Sequence, residues 1–208
     1  MQFKKAEQYI LKKLSKELPG NLFYHGLHHT LDVLDATVRL AKMEQVSDEQ
    51  MILLKTAALY HDAGFIKKYF MNEVVAAKMA KETLPKYEYT AKQIKTIVDI
   101  IMATRINAEP KNLLEEIIRD ADLDYLGRED FHSIAHTLKI ELYEHGLKYS
   151  AKQWRKILID FLENHTYYTA SAKKLREAKK QEYLVQIKKP EFVAEETMKK
   201  LHKEKITL

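Results

Sequence analysis

The chain has 208 residues and a mass of 24.4 kDa, with 46% hydrophobic residues and a formal charge of +5. That hydrophobic content supplies a core and argues against disorder, while the absence of cysteine excludes disulfides and thiolate metal sites. The charge is mild, and its Lys-rich C-terminal stretch carries no aromatic-and-basic motif, so a nucleic-acid partner is not expected.

Only 5 Gly and 4 Pro interrupt the sequence, and the apolar spacing between them follows the helical period. Residues 3–18 place Ala6, Ile10 and Leu14 on one stripe, which Pro19-Gly20 ends. A loop from Tyr24 to His28 precedes a helix over 29–43, with Val33, Ala36, Thr37 and Leu40 inward. Ser47 and Gln50 form a capping box for a helix over 48–62, stopped at Gly64. Helices are predicted over 72–84, before Pro85, and over 90–107, where Ile94, Ile97, Val98, Ile101, Met102 and Arg105 share a face. Pro110 opens a helix reaching Asp120. Helices over 129–145, 150–187 and 190–204 complete an all-α expectation with no strand alternation. The organisation expected is one domain over 1–208, with a helical core in 1–147 and C-terminal helices in 148–208 packed on it. No apolar run approaches the ~18 residues of a membrane span and no signal-peptide core opens the chain, so a cytoplasmic location without a membrane partner is expected.

Three segments carry the chemistry. YHGLHHTLDV, from Tyr24 to Val33, puts three histidines within five residues at a loop-to-helix junction. ALYHDAGF places His61 and Asp62 at the end of an apolar helix, His61 continuing the inward stripe of Leu54, Ala57 and Ala58. A buried imidazole and carboxylate need a partner or a metal to offset desolvation. IIRDADLDYLG sets Asp120, Asp122 and Asp124 after an apolar turn, where carboxylates so close repel unless solvent or a cation compensates. Two imidazoles and two carboxylates suit Mn²⁺, Fe²⁺, Ni²⁺ or Zn²⁺ better than Mg²⁺. A divalent ion with open positions polarises a phosphoryl oxygen and turns bound water into a hydroxide nucleophile near neutral pH.

The ordered set His29, His61-Asp62 and Asp122 resembles the H…HD…D pattern of the HD superfamily of metal-dependent phosphohydrolases. His29 opens its helix as H-T-x-x-V, His61-Asp62 precedes Ala63-Gly64, and Asp122 lies in DADLDYLG. With Asn72-Glu73, Thr104-Arg105 and FLENHTYYTASAKKLREAKK from Phe161, most of the chain looks like the bacterial predicted metal-dependent HD phosphohydrolases. The resemblance implies an HD-type helical bundle and a divalent ion held by His29, His61, Asp62 and Asp122. It implies hydrolysis of a phosphoester or phosphoanhydride in a small phosphorylated molecule, a nucleotide being the expected case, and leaves substrate and oligomeric state open. Tyr24-His25 followed by His29 is similar to the YHxxxH segment of cyclic-nucleotide phosphodiesterases, which makes His25 a candidate general acid and a cyclic nucleotide an alternative substrate. The further metal-associated histidines of those enzymes are missing, since none occurs between His61 and His132. A guanosine tetraphosphate alarmone fits less well, because the acidic pair expected after the HD helix is not evident. A non-catalytic nucleotide-binding HD module and a dinuclear iron oxygenase on the same fold are the readings from other classes. Glu73 is a candidate to orient water.

On a helix over 150–187, at about 100° per residue, Thr169 lies about 40°, Arg176 about 20° and Lys180 about 60° from His165. His165, Thr169, Arg176 and Lys180 are therefore expected to share one face as a substrate-phosphate clamp, or to belong to the packed stripe with the two cations reaching from its edge to water.

Overall fold

The computed structural model describes residues 1–189, and the helix expected over 190–204 lies outside them. Among the described residues there are nine α-helices and no strand: α1 (Phe3–Glu17), α2 (Leu27–Met43), α3 (Asp48–Tyr60), α4 (Asn72–Thr83), α5 (Ala91–Ala103), α6 (Leu113–Asp122), α7 (Phe131–Glu144), α8 (Ala151–Asn164) and α9 (Ala170–Lys188). Short 3₁₀ turns at Ala63–Ile66, Leu84–Tyr87 and Asp124–Gly127 follow α3, α4 and α6.

Helix starts are fixed locally. The capping box at Ser47 and Gln50 forms, and Thr90 with Gln93 and Ser150 with Gln153 repeat it at α5 and α8. Asn112 caps α6 by accepting from the amides of Leu114 and Glu115, so that helix begins beyond Pro110 and runs on to Asp122. The helix expected over 90–107 stops at Ala103, and α2 begins two residues before His29.

α3 is the central element, packed against α1, α2 and α5. Leu54, Ala57, Ala58 and Tyr60 on it are fully buried, and burying one leucine contributes roughly 1.5–3 kcal/mol. Because α3 is apolar on nearly every side, His61 and Asp62 at its end are delivered to the protein interior. The chain then doubles back tightly: a Cβ on Gly64 would lie 1.9 Å from the carbonyl oxygen of Asn72, so only glycine lets the start of α4 pass this close.

The predicted helix over 150–187 is two helices. The chain is extended at His165 and at Thr169, and α9 folds back on α8. Buried Asp120 is the cause: it accepts the backbone N–H groups of Tyr168 at 2.9 Å and Thr169 at 2.8 Å and the Thr169 hydroxyl at 2.7 Å. Thr169 Oγ1 also accepts from the Ala172 amide, capping α9. Arg176, about two turns later, clamps buried Asp124 at 2.8 and 3.0 Å, and Arg39 of α2 approaches the same carboxylate at 2.7 Å. Between them α9 lies directly on the turn holding Gly127, where a Cβ would meet the Arg176 carbonyl oxygen at 2.2 Å.

Asp120→Ala strands the buried Thr169 N–H and the partly buried Tyr168 N–H, a buried unsatisfied group costing about 1–3 kcal/mol. Denaturant unfolding is expected to show a loss of about 3 kcal/mol with native helix content at zero denaturant. An unchanged midpoint would mean that the α8–α9 reversal is held by something else.

Candidate metal centre and adjoining cavity

His29 from the first turn of α2, His61 and Asp62 from the end of α3, and Asp122 from the last residue of α6 converge. His29 Nε2 lies 3.0 Å from Asp122 Oδ1 and 3.5 Å from Asp62 Oδ2. His61 Nε2 lies 3.1 Å from Asp62 Oδ2 and 3.6 Å from Asp122 Oδ1. One donor atom each from His29, His61 and Asp122 falls within a 4.8 Å group, the spacing of atoms that share a cation.

The donor set fits a divalent ion on two observations. His61 Nδ1–H donates to the Ala58 carbonyl at 2.7 Å, which fixes the tautomer and leaves Nε2 with a free lone pair aimed at the cluster. That Nε2 and Asp62 Oδ2 are both buried without a hydrogen-bond partner, a costly arrangement unless a cation satisfies them. Burial opposes protonation of His61, but the Asp62 and Asp122 carboxylates overcome it and raise its pKa. Conversely, burial works to raise Asp62 and Asp122, and the imidazoles of His61 and His29 hold both below the usual carboxylate range. Only Asp122, with 21% of its side chain exposed, opens towards solvent, so the free side of the cluster faces outward along it.

Asp62 and Asp122 form part of the lining of a cavity of about 460 Å³, together with Tyr24, His25, Phe65, Tyr69, Glu73, Arg119 and an apolar wall from α7 and α8. His25 stands at its edge, stacked on Phe65 at 4.3 Å between centroids and 5.8 Å from the His29 ring. Its Nδ1 pairs with the fully buried Glu141 of α7. The other oxygen of that carboxylate accepts the amides of Tyr24 at 2.8 Å and His25 at 2.9 Å, and the Tyr69 hydroxyl donates to Oε1 at 3.1 Å. Burial disfavours the His25 cation, yet the hydrogen bond to Glu141 and the surrounding carboxylates raise its pKa above the ordinary histidine value.

Glu141 was not foreseen from the sequence. Its signal is a carboxylate set among Leu138, Ile140 and Leu142 on the inward side of a helix. Arg119, one turn before Asp122, also escaped notice; it lines the cavity while its Nη1 donates to the Ala103 and Arg105 carbonyls. Glu73 lies on the lining near Met71, in a second hollow shared with Arg105. His28 is exposed.

The four residues expected on one face of a long helix are not brought to this cavity, because the helix is broken at 165–169. Thr169 is consumed as a cap, and Arg176 is clamped on Asp124. Lys180 is buried, donating to the His165 carbonyl at 2.7 Å and pairing with Glu177 at 3.0 Å. His165 lines an adjoining hollow of about 240 Å³ with Asn107, Arg119 and Tyr168; burial and the Lys180 charge lower its pKa to about 4.

Residues 26–124 match the family model described as the HD domain. The fold is similar to that of Bacillus subtilis YpgQ, whose crystal structure is a complex with ADP (TM-score 0.65, 17% identity, 92% of this chain and 98% of that one). It is also similar to a Lactobacillus plantarum protein (TM-score 0.62, 22% identity, 90% of this chain and 95% of that one). No curated protein matches the chain.

Replacing Glu141 by Gln removes the charge that favours imidazolium, so the His25 pKa is expected to fall. An imidazole-detected NMR titration of wild type and Glu141→Gln checks this: the wild-type His25 midpoint lies above 6.5 and the variant's below the wild-type value. Coincident curves would uncouple the two groups.

Proposed function

We propose, from the match of residues 26–124 to the HD domain, that the chain is a metal-dependent phosphohydrolase acting on a phosphoester or phosphoanhydride of a small molecule, a nucleotide first among them. The observation that carries the reading is the convergence of His29, His61, Asp62 and Asp122, of which Asp62 and Asp122 line a cavity that also exposes His25. A divalent ion held by these four would polarise a phosphoryl oxygen and acidify a water molecule beside it.

The chain's own residues then divide the remaining work. Glu141 holds Nδ1–H of His25, which leaves Nε2 to carry the proton destined for the departing oxygen. Its raised pKa keeps that proton in place near neutral pH, and Phe65 and Tyr69 fix the ring. Glu73, on the same lining, would accept a hydrogen bond from substrate or water. The ADP bound by YpgQ supports a nucleotide as the first ligand to try. A cyclic nucleotide is the second reading, favoured by His25 itself, because a cyclic diester releases an alkoxide that needs such a donor.

Phosphate release from a nucleotide panel with Mn²⁺ tests the proposal. Activity is expected to vanish with a chelator and to return with Mn²⁺, Fe²⁺, Ni²⁺ or Zn²⁺ more fully than with Mg²⁺. His61→Ala and Asp62→Asn are expected to lose both turnover and bound metal while staying helical by circular dichroism; full turnover in a metal-free variant would refute the ligand set.

His25→Ala is expected to lower kcat by about 10²-fold or more on alkyl esters and much less on an activated aryl ester, because only a poor leaving group needs the proton. Equal losses on both would make His25 a positioning residue.

A further inference from the structure

The cavity has two unlike halves. One bears Asp62, Asp122, His25 and Glu73. The other is built by Leu138 and Leu142 of α7, Leu147 of the connection, and Trp154, Ile157 and Phe161 of α8. Of these six side chains only Trp154 owns a polar atom, its indole N–H. Leu138, Leu142, Leu147 and Ile157 are half-buried and Phe161 is exposed, so part of their apolar surface stays open to solvent. The apolar character continues at the mouth, where Phe70 is 60% and Ile106 86% exposed. A protein stabilised only by its own packing gains nothing from leaving such residues open around a hollow, and patches of this kind mark ligand sites.

A pocket that recognises a base by its edge needs side-chain donors and acceptors placed in the plane of the ring. The α7–α8 wall offers none beyond that indole. Tyr24, Tyr69, Asn72, Thr104 and Tyr125 are polar, but Tyr24 and Asn72 belong to the half that holds the carboxylates, Tyr125 is hydrogen-bonded to Tyr24, the Thr104 hydroxyl donates to the Ile101 carbonyl, and the Tyr69 hydroxyl is spent on Glu141. Arg119 is the one Lys or Arg among the lining residues, and two of its hydrogen bonds go to backbone carbonyls.

We infer that the α7–α8 wall receives the organic body of the phosphorylated ligand by apolar contact and stacking alone, so that the site selects a phosphate carried on an apolar or flat body and does not read the edge of a nucleobase. The inference rests on the phosphohydrolase reading for the end at which the phosphate sits. It deepens that reading by dividing the ligand: the charged end is recognised by the ion and its surroundings, the body by surface area. Discrimination by apolar contact is shallow, whereas a pocket built to hydrogen-bond its ligand rejects analogues by several orders of magnitude. Nucleotides with different bases are therefore ligands of nearly equal standing.

Calorimetry on the Mn²⁺-loaded protein with methyl-, phenyl- and 1-naphthylphosphonate, whose P–C bonds resist hydrolysis, tests this. Affinity is expected to climb along the series, by about 30-fold or more from methyl to naphthyl, as buried apolar area grows. The four nucleoside 5′-monophosphates, competing with 1-naphthylphosphonate, are expected to bind within about threefold of one another. Leu142→Gln and Ile157→Gln, at half-buried positions on different helices, should each shrink the naphthyl-to-methyl ratio at least about threefold. Helix content and bound Mn²⁺ verify that each variant is folded. A flat series, no phosphonate binding, or one base preferred by more than about 30-fold overturns the inference. If the series climbs but no phosphate ester is hydrolysed, the wall stands and the hydrolase reading falls; if esters are hydrolysed but the series is flat, the reverse holds.

Discussion

Three carboxylates within five residues must each be answered separately, and the rest of the molecule is arranged around doing so. Asp120, Asp122 and Asp124 leave the end of α6 in different directions. Asp120 takes two amides and a hydroxyl from the α8–α9 connection. Asp124 takes Arg176 and Arg39. Asp122, between them, is left to the two histidines and the cavity. A buried carboxylate that is neither paired nor hydrogen-bonded costs several kcal/mol, so fixing its two neighbours holds Asp122 in position without spending its own lone pairs.

The same economy appears at the other side of the cluster. Gly64 permits the turn after Asp62 to lie against the α4 backbone, and the Ala58 carbonyl takes the proton on His61 Nδ1. Neither contact uses a donor atom of the cluster, but together they aim Nε2 and Oδ2 at one point. The rigid backbone carries the geometry, while Glu141 supplies the comparable service to His25 from a helix more than a hundred residues away in sequence.

The helical class, most helix positions and the His29, His61, Asp62, Asp122 grouping were legible in the sequence because each depends on short-range pattern: apolar spacing, capping residues and motif context. What was not legible depends on partners distant in the chain. The helix break at 165–169 rests on Asp120, whose side chain takes up amides 48 and 49 residues away. A wheel drawn through that stretch placed Arg176 beside His165, whereas the reversal of the chain hands Arg176 to Asp124. Glu141 escaped for the same reason, since a lone acid on an apolar helix face declares a buried partner without naming it. The apolar half of the cavity left no motif, only leucines and aromatics that read as ordinary core.

Because Asp120 finds its partners at residues 168 and 169, and Asp124 its two-point clamp at Arg176, the order of synthesis matters. Translation proceeds at about 5–20 residues per second, so several seconds separate the emergence of α6 from that of α9. During that interval Asp120 is unanswered and Asp124 lacks Arg176, so the end of α6 bearing Asp122 is free of restraints that later flank it. The centre is thus completed from the far end of the chain: a nascent protein cut short before α9 would already own every donor atom of the cluster, yet lack the braces that hold one of them still.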